Sequence, residues 1–273
     1  MSRTTRALLL AAGLGTRLRP LTNAWPKCLM PIQGRPLLEH WLCQLKKSGI
    51  GEVLVNVHHH ADIVMDFLER DRFRSWVSCD YEPQLLGTAG TLRRYAEKCL
   101  EGSVFVAHAD NWCQCDLPAF FEFHQRKAAH GNVISMMTFR TESPSDCGIV
   151  TTDNSGIVNS FSEKVMNPPG NLANGAVYIL ESEALDWLLR HPGCNDISTQ
   201  FIPAFIGRIA AWENRGIHRD IGRRSSLLKA QDDPAPENCW DEIDDWLREF
   251  ERNPIHSAVH DETFLNEARK TSY

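Results

Sequence analysis

The sequence has no stretch approaching the roughly 20 consecutive apolar residues that span a bilayer, so nothing in it reads as a transmembrane helix. It has no excess of positive charge either. Its 29 Lys and Arg against 35 Asp and Glu give a formal net charge of −6, which removes the electrostatic reason to expect a nucleic-acid partner. Paired cysteines are missing as well. The nine cysteines, at 28, 43, 79, 99, 113, 115, 147, 194 and 239, form no CxxC and no disulfide-like spacing, so free thiols in a reducing cytoplasm are expected. Cys113 and Cys115 beside His108 and Asp110 have no second Cys/His pair at zinc-finger spacing, which argues against zinc. The apolar run 7–14 is cut short by Arg17 and Arg19, leaving no core or cleavage site for a signal peptide. Solenoid repeats and low-complexity tracts are absent.

What is present is ordinary globular composition, 42% hydrophobic and 23% charged over 273 residues, enough for one large domain with or without a small appendage. Short apolar runs alternate with helical patterns through residue 140. Strands are expected at 7–12, 52–57, 75–81, 104–107 and 132–140, and helices at 36–48, 63–68, 90–100 and 117–130. This β-α-β-α-β order predicts an α/β fold with a doubly wound, mostly parallel sheet. From Cys147 short strands at 148–152, 158–161 and 176–180 suggest a small α+β insert, followed by helices at 182–190 and 199–207 and an extended segment at 215–221. Residues 223–236 read as a turn-rich connection. In 239–251, Trp240, Ile243, Trp246, Leu247 and Phe250 share one helical stripe, which packs on its own domain or forms a homodimer contact.

Residues 8–31, LLLAAGLGTRLRPLTNAWPKCLMP, stand out. An apolar strand feeds a loop with Gly13 and Gly15, then Thr16, Arg17, Arg19 and, further on, Pro26-Lys27. Glycines let backbone N–H groups approach phosphate oxygens, a guanidinium can fork onto a polyphosphate, and an ammonium supplies a point charge. The run is neither a Walker A loop nor a GxGxxG fingerprint. It closely resembles the signature of the nucleotide-sugar pyrophosphorylases, sugar-1-phosphate nucleotidyltransferases of a glycosyltransferase-A-like α/β fold.

The resemblance extends over residues 5–225 and implies roles for further positions. Leu10, Ala12, Gly13, Gly15 and Thr16 would contact substrate, with Arg17 and Lys27 on the phosphates. In Tyr81-Glu82-Pro83-Gln84-Leu85-Leu86-Gly87-Thr88, Glu82 occupies the base-reading place beside Gly87 and Thr88. A carboxylate there can accept two hydrogen bonds from guanine and only one from uracil or thymine, which tilts the expectation toward GTP. Asp110 ends a buried strand where the family binds magnesium; Ala109 precedes it where Gly or Ser is more usual, and His108 reads as structural. Gly148, Glu163 and Asn174 match sugar-contacting elements, and Lys164 the partner of the sugar phosphate. The chain reads Asn174-Gly175-Ala176 where the family more often reads Asn-Ala-Gly. Asp220, in His218-Arg219-Asp220-Ile221-Gly222, matches the second metal carboxylate, with His218 in place of an aromatic residue.

The implied division is a nucleotidyltransferase domain, 1–225, with its sugar-side elements at about 141–222, and a helical extension, 226–273, without hexapeptide repeats. The implied activity joins an NTP to a sugar 1-phosphate, mannose or heptose 1-phosphate with GTP, using Mg²⁺ and releasing pyrophosphate. A uridylyltransferase acting on a glucose- or amino-sugar phosphate, and a catalytically silent nucleotide-sugar-binding regulator, are the alternatives. His58-His59-His60-Ala61-Asp62 has the look of a metal cluster but sits where polar caps are normal, and the acidic run 241–245 reads as a solvated helix face.

Overall fold

The computed structural model of the chain describes residues 6–97 and 102–261. The first strand, β1 (Arg6–Leu10), buries its last four residues, so both faces of its pleat need a covering layer. The signature loop follows, with a one-turn helix α1 (Leu21–Ala24) and a two-residue ladder of β2 (Pro31–Ile32) with β3 (Arg35–Pro36). Then come α2 (Leu37–Lys47), β4 (Val53–Val57), α3 (Ala61–Leu68), β5 (Val77–Tyr81), α4 (Thr88–Ala96) and β6 (Val104–His108). The far end of the expected helix 90–100 lies outside the described residues. Next are β7 (Asn111–Gln114), α5 (Leu117–Ala128), β8 (Ile134–Arg140), β9 (Gly148–Thr152), β10 (Val158–Glu163), β11 (Leu172–Leu180) and α6 (Ser182–Arg190). After β12 (Ile209–Glu213) and β13 (Ile217–Asp220), the chain closes with α7 (Arg224–Gln231), α8 (Asp245–Glu251) and α9 (Ile255–His260).

Among the described residues nine strands form the main sheet, in the order β10-β9-β11-β6-β1-β4-β5, with β8 against β11 and β12 against β8. Following the pair directions, all but β10 and β11 run the same way, which is the mostly parallel sheet expected. Alternate residues of β1 enter opposite cores. Ala7 and Leu9 pack with Trp41 of α2, Phe67 of α3 and Phe120 of α5, whereas Leu8 and Leu10 pack with Leu92 of α4 and Leu185 of α6. Each fully buried leucine contributes about 1.5–3 kcal/mol, so this central strand is fixed in register by both layers.

Four local expectations are corrected. Strands β7 and β12 lie in stretches not read as extended, because their pairing partners β13 and β8 are distant in sequence. The region 199–207 is irregular, with a π-type turn Ile197–Phe201 capped by the Asp196 carboxylate and a 3-10 turn Ile202–Phe205 containing Pro203. The connection 223–236 contains the helix α7. The helix expected from 239 begins only at Asp245, because Asp244 caps it by accepting from the Leu247 N–H at 3.0 Å.

The tryptophan stripe is used inside the chain. Trp246 meets Phe67 edge-on at 5.0 Å and Trp240 meets Phe73 at 5.2 Å. Leu247 and Phe250 of α8 and Ile255 and Val259 of α9 complete a third core with Leu18, Leu21 and Met30 of the signature region. Nor is the acidic run 241–245 simply a solvated face, since Asp244 bonds Arg70.

The expectation of nine free thiols is also corrected. Cys43 of α2 and Cys239, 196 positions apart, are disulfide-bonded with a Cα–Cα distance of 5.4 Å, a proximity that sequence spacing cannot reveal. Alkylation of the denatured, unreduced protein is therefore expected to label the six free thiols of the described residues and to leave Cys43 and Cys239 unmodified. Nine additions in mass spectrometry would remove the crosslink. Among the described residues no helix is long and apolar enough to cross a membrane.

Candidate active site

The carboxyl ends of β1, β4 and β6 lie side by side, where a parallel sheet leaves a crevice for ligands. The loop leaving β1 turns at Gly15, whose φ of 62° is open to glycine at little cost. A Cβ there would also sit 2.7 Å from the Thr22 methyl, and the Thr22 hydroxyl donates to the Gly15 carbonyl at 2.9 Å. Gly13 is different: a Cβ would meet nothing within 4 Å, so its bareness is not demanded by the protein's own packing.

Below this loop the predicted ionic residues converge. The Lys27 ammonium, only 5% exposed, donates to Asp110 Oδ2 at 2.7 Å and to Asp220 Oδ1 at 2.9 Å. Arg17 Nη2 donates to Asp220 Oδ2 at 2.8 Å. Asp110 follows β6, and Asp220 closes β13, 110 positions later in the chain. A Cβ at Gly222 would lie 2.6 Å from Arg17 Nη2, so the glycine of the Asp-Ile-Gly element is what admits the guanidinium. Burial works to raise the Asp220 carboxyl, but Lys27 and Arg17 outweigh it and hold the group well below the usual carboxylate range. For Lys27, burial works to remove the proton, and Asp110 with Asp220 overcome it, so the ammonium is more firmly protonated than in water. Arg17 is likewise raised by its hydrogen bond to Asp220.

A cavity of about 170 Å³ opens beside this cluster, lined by Leu10, Ala12, Gly13, Lys27, Asp110, Glu82, Gly87 and Thr88 among others. Glu82 is 1% exposed, and its Oε1 accepts from Asn56 Nδ2 at 3.0 Å and from the Thr91 hydroxyl at 2.5 Å. Asn56 Oδ1 in turn accepts from the Ala11 N–H at 2.8 Å. Asn56 thus ties the strand-to-loop junction to the segment that holds Glu82, a role not evident from the sequence. The available signal was an Asn inside the apolar strand VLVNV. Gly87, at φ 76°, is backed by the Asn195 carbonyl, which leaves no room for a Cβ. Thr88 accepts from the Ile197 N–H at 2.8 Å.

The three histidines are clasps. His58 Nδ1 donates to the Glu82 carbonyl at 2.7 Å, and His59 and His60 both donate from Nε2 to the Thr22 carbonyl, at 2.8 and 3.2 Å. They tie the segment at Glu82 and the glycine loop's far side at Thr22 to the turn that follows β4. Among the described residues no group of three or more His, Cys, Asp or Glu is placed to hold a metal ion; Asp110 and Asp220, which converge on Lys27, are two acids that offer hard oxygens at one place. His108 also lines the cavity, with burial pushing its ring toward the neutral form.

The residues expected on the sugar side form a second group. A Cβ at Gly148 would clash with the Glu163 carboxylate at 2.5 Å and the Phe161 ring at 2.6 Å. Lys164, 65% exposed, pairs with Glu163 Oε1 at 3.2 Å. The Asn174 amide is engaged internally, donating to the Tyr178 hydroxyl at 2.7 Å and accepting from the Ala176 N–H at 3.0 Å. Thr16 opens the short turn that carries Arg17.

The chain is 34% identical over 193 residues to mannose-1-phosphate guanylyltransferase 1 of Arabidopsis thaliana, covering 68% of this chain and 53% of the relative. It spans about half to three fifths of the length of the curated relatives it matches. Its fold is shared with HddC from Yersinia pseudotuberculosis complexed with GMP-PN, at a TM-score of 0.69 and 24% identity, covering 83% of this chain and 98% of that one. A Bacillus anthracis structure named for glucose-1-phosphate thymidylyl transfer, solved with a sucrose, gives a TM-score of 0.74 at 18% identity, covering 89% and 99%. With residues 6–236 matching the family model described as nucleotidyl transferase, and the signature cations meeting the two late-arriving carboxylates in one crevice, the chain belongs to the nucleotidyl transferase family.

Proposed function

We propose that this chain transfers a nucleotidyl group from an NTP, GTP by preference, to a sugar 1-phosphate such as mannose or heptose 1-phosphate, forming an NDP-sugar and releasing pyrophosphate. The observation that carries this reading is the convergence of Arg17, Lys27, Asp110 and Asp220 beside the glycine loop. Relatives named as mannose-1-phosphate guanylyltransferases support the sugar and the base.

A sugar-phosphate oxygen attacks the α-phosphorus, and the bond to the departing pyrophosphate breaks. The nucleophile is already ionised at neutral pH, so no general base is required. The protein's work is positioning and charge neutralisation. Lys27, kept protonated in its buried place, serves the α-phosphate, and Arg17 the pyrophosphate. Gly148, Glu163 and Asn174 would frame the sugar, with Lys164, the most exposed of these cations, swinging to its phosphate. Asp110 and Asp220 already converge on a cation and offer hard oxygens, so they suit Mg²⁺, which takes one or two carboxylates and completes its shell with substrate phosphates. Bound there, the ion would supply Lewis-acid stabilisation of phosphate charge.

The retained ionic cluster speaks against a catalytically silent regulator. Trp240 and Trp246 pack within the chain, the first of the two uses expected of the tryptophan stripe.

A pyrophosphate-release screen of several NTPs against a panel of sugar 1-phosphates with Mg²⁺ tests the reading; no productive pair would overturn it. Within that screen Glu82→Gln is expected to weaken GTP use more than UTP use, by about fivefold to tenfold, the worth of one hydrogen bond. Equal losses would favour a uridylyltransferase.

A further inference from the structure

One carbonyl joins the paired strands β7 and β13, which start beside Asp110 and end at Asp220, to the turn that bears Asn174. The Gly175 carbonyl accepts from His218 Nε2 at 2.8 Å and from Asn111 Nδ2 at 3.3 Å. Asn111 adjoins Asp110, His218 stands two residues before Asp220, and the two strands are paired with Asp220 opposite Asn111. The His218 ring is held on one face by Phe139, stacked at 4.2 Å and 22°.

This contact dictates which residue stands where. A Cβ at position 175 would sit 3.0 Å from the Met137 carbonyl and 3.2 Å from His218 Nε2, closer than real side chains tolerate unless a neighbour gives way. Met137 belongs to the buried backbone of β8 and His218 is braced by Phe139, so neither yields readily. The next residue, Ala176, takes φ 52°, a left-handed conformation in which glycine would be at ease and alanine is strained. The order Gly-Ala therefore places the bare residue where the histidine approaches and leaves the strained conformation to the alanine.

We propose that His218 and Gly175 are a positioning pair that fixes the Asn174 turn against the strand pair β7 and β13, beside Asp110 and Asp220. The pair sets the affinity for the sugar phosphate while leaving the nucleotide side untouched. The inference rests on the reading of Asn174 and the two aspartates given above.

The test compares steady-state kinetics of Gly175→Ala, His218→Phe, His218→Gln and the exchange Gly175→Ala/Ala176→Gly. Removing the donor or blocking its approach is expected to raise KM for the sugar 1-phosphate about fivefold to tenfold, with KM for the NTP and kcat within about twofold. His218→Gln, which keeps a donor on a flexible arm, should recover most of the loss. The exchange variant should behave as Gly175→Ala does, because relief at 176 does not restore the contact. Equal rises in both KM values, or no change, would overturn the proposal. If the unaltered protein turns over no pair, the functional reading falls instead. The contact is then judged by urea unfolding of Gly175→Ala, His218→Phe and the double variant: non-additive losses support it and additive losses overturn it.

Discussion

Lys27→Ala is expected to slow pyrophosphate release by about a hundredfold to a thousandfold while leaving a folded protein, the scale seen when one preorganised donor to a developing oxyanion is removed. Two features of the cluster set this outcome. Among the described residues Lys27 is the single cation bridging Asp110 and Asp220, so its loss takes away the charge proposed to serve the α-phosphate and leaves the two carboxylates without their common partner. Yet Asp110 is 31% and Asp220 46% exposed, so water can solvate what the ammonium leaves behind, and Asp220 keeps Arg17. The damage therefore falls on turnover rather than on folding. Initial-rate measurements of pyrophosphate release, with circular dichroism as the fold control, check it. Unchanged turnover would sink the assignment of the site.

Glu39→Ala is expected to act in the opposite sense, costing about 3–5 kcal/mol of stability, because it strips a buried cluster of one of its two carboxylates. Glu39 accepts from Arg70 at 2.7 Å and Arg35 at 2.8 Å and faces Arg72 at 3.7 Å. Arg70 also forks onto Asp244, the cap of α8, at 2.8 and 3.1 Å. Glu39 and Arg70 are 6% and 5% exposed, so water cannot rescue the cations when the acid is removed. Charge counting makes the prediction sharper. Without Glu39, Arg70 and Arg72 share Asp244 and Arg35 loses the acid it pairs with, whereas Arg70→Met leaves two arginines with two acids and a side chain able to fill the space among Phe67, Phe73 and Trp246. Urea unfolding should rank Glu39→Ala below Arg70→Met, and the reverse order would refute the argument.

The same cluster gives a pH dependence. Burial works to raise the Asp244 carboxyl, but its hydrogen bond from Arg70, the Leu247 N–H and the nearby guanidinium charges hold it below the usual range. A depressed folded value means the stabilisation is complete above the unfolded value of about 4 and is lost as pH falls through the lower folded one. Thermal unfolding should therefore soften in that acid window.

Much of this protein was legible before any coordinates. The apolar run of β1 and the helical spacing of Leu37, Leu38, Trp41, Leu42 and Leu45 report burial locally, so the parallel core and its helices followed from periodicity. The signature loop announced its chemistry because glycines and cations close in sequence are close in space. Long-range pairings stayed hidden. Strand β12 becomes a strand by lying beside β8, the Cys43–Cys239 bond joins residues 196 apart, and Asn56 acquires its role only when β4 meets the loop after β1. The three histidines carry polar atoms that could serve a metal or a carbonyl, and only the position of Thr22 and Glu82 decides between them.

Motifs close in sequence announced the kinds of groups to look for: a glycine loop, two cations, two carboxylates and a short list of residues expected at the sugar. Their partners depend on how the strands pair. Strand β13 pairs with β7, and that one register brings Asp220 across from Asn111 and onto the same ammonium as Asp110, because hydrogen bonding between strands ignores the distance along the chain that separates them.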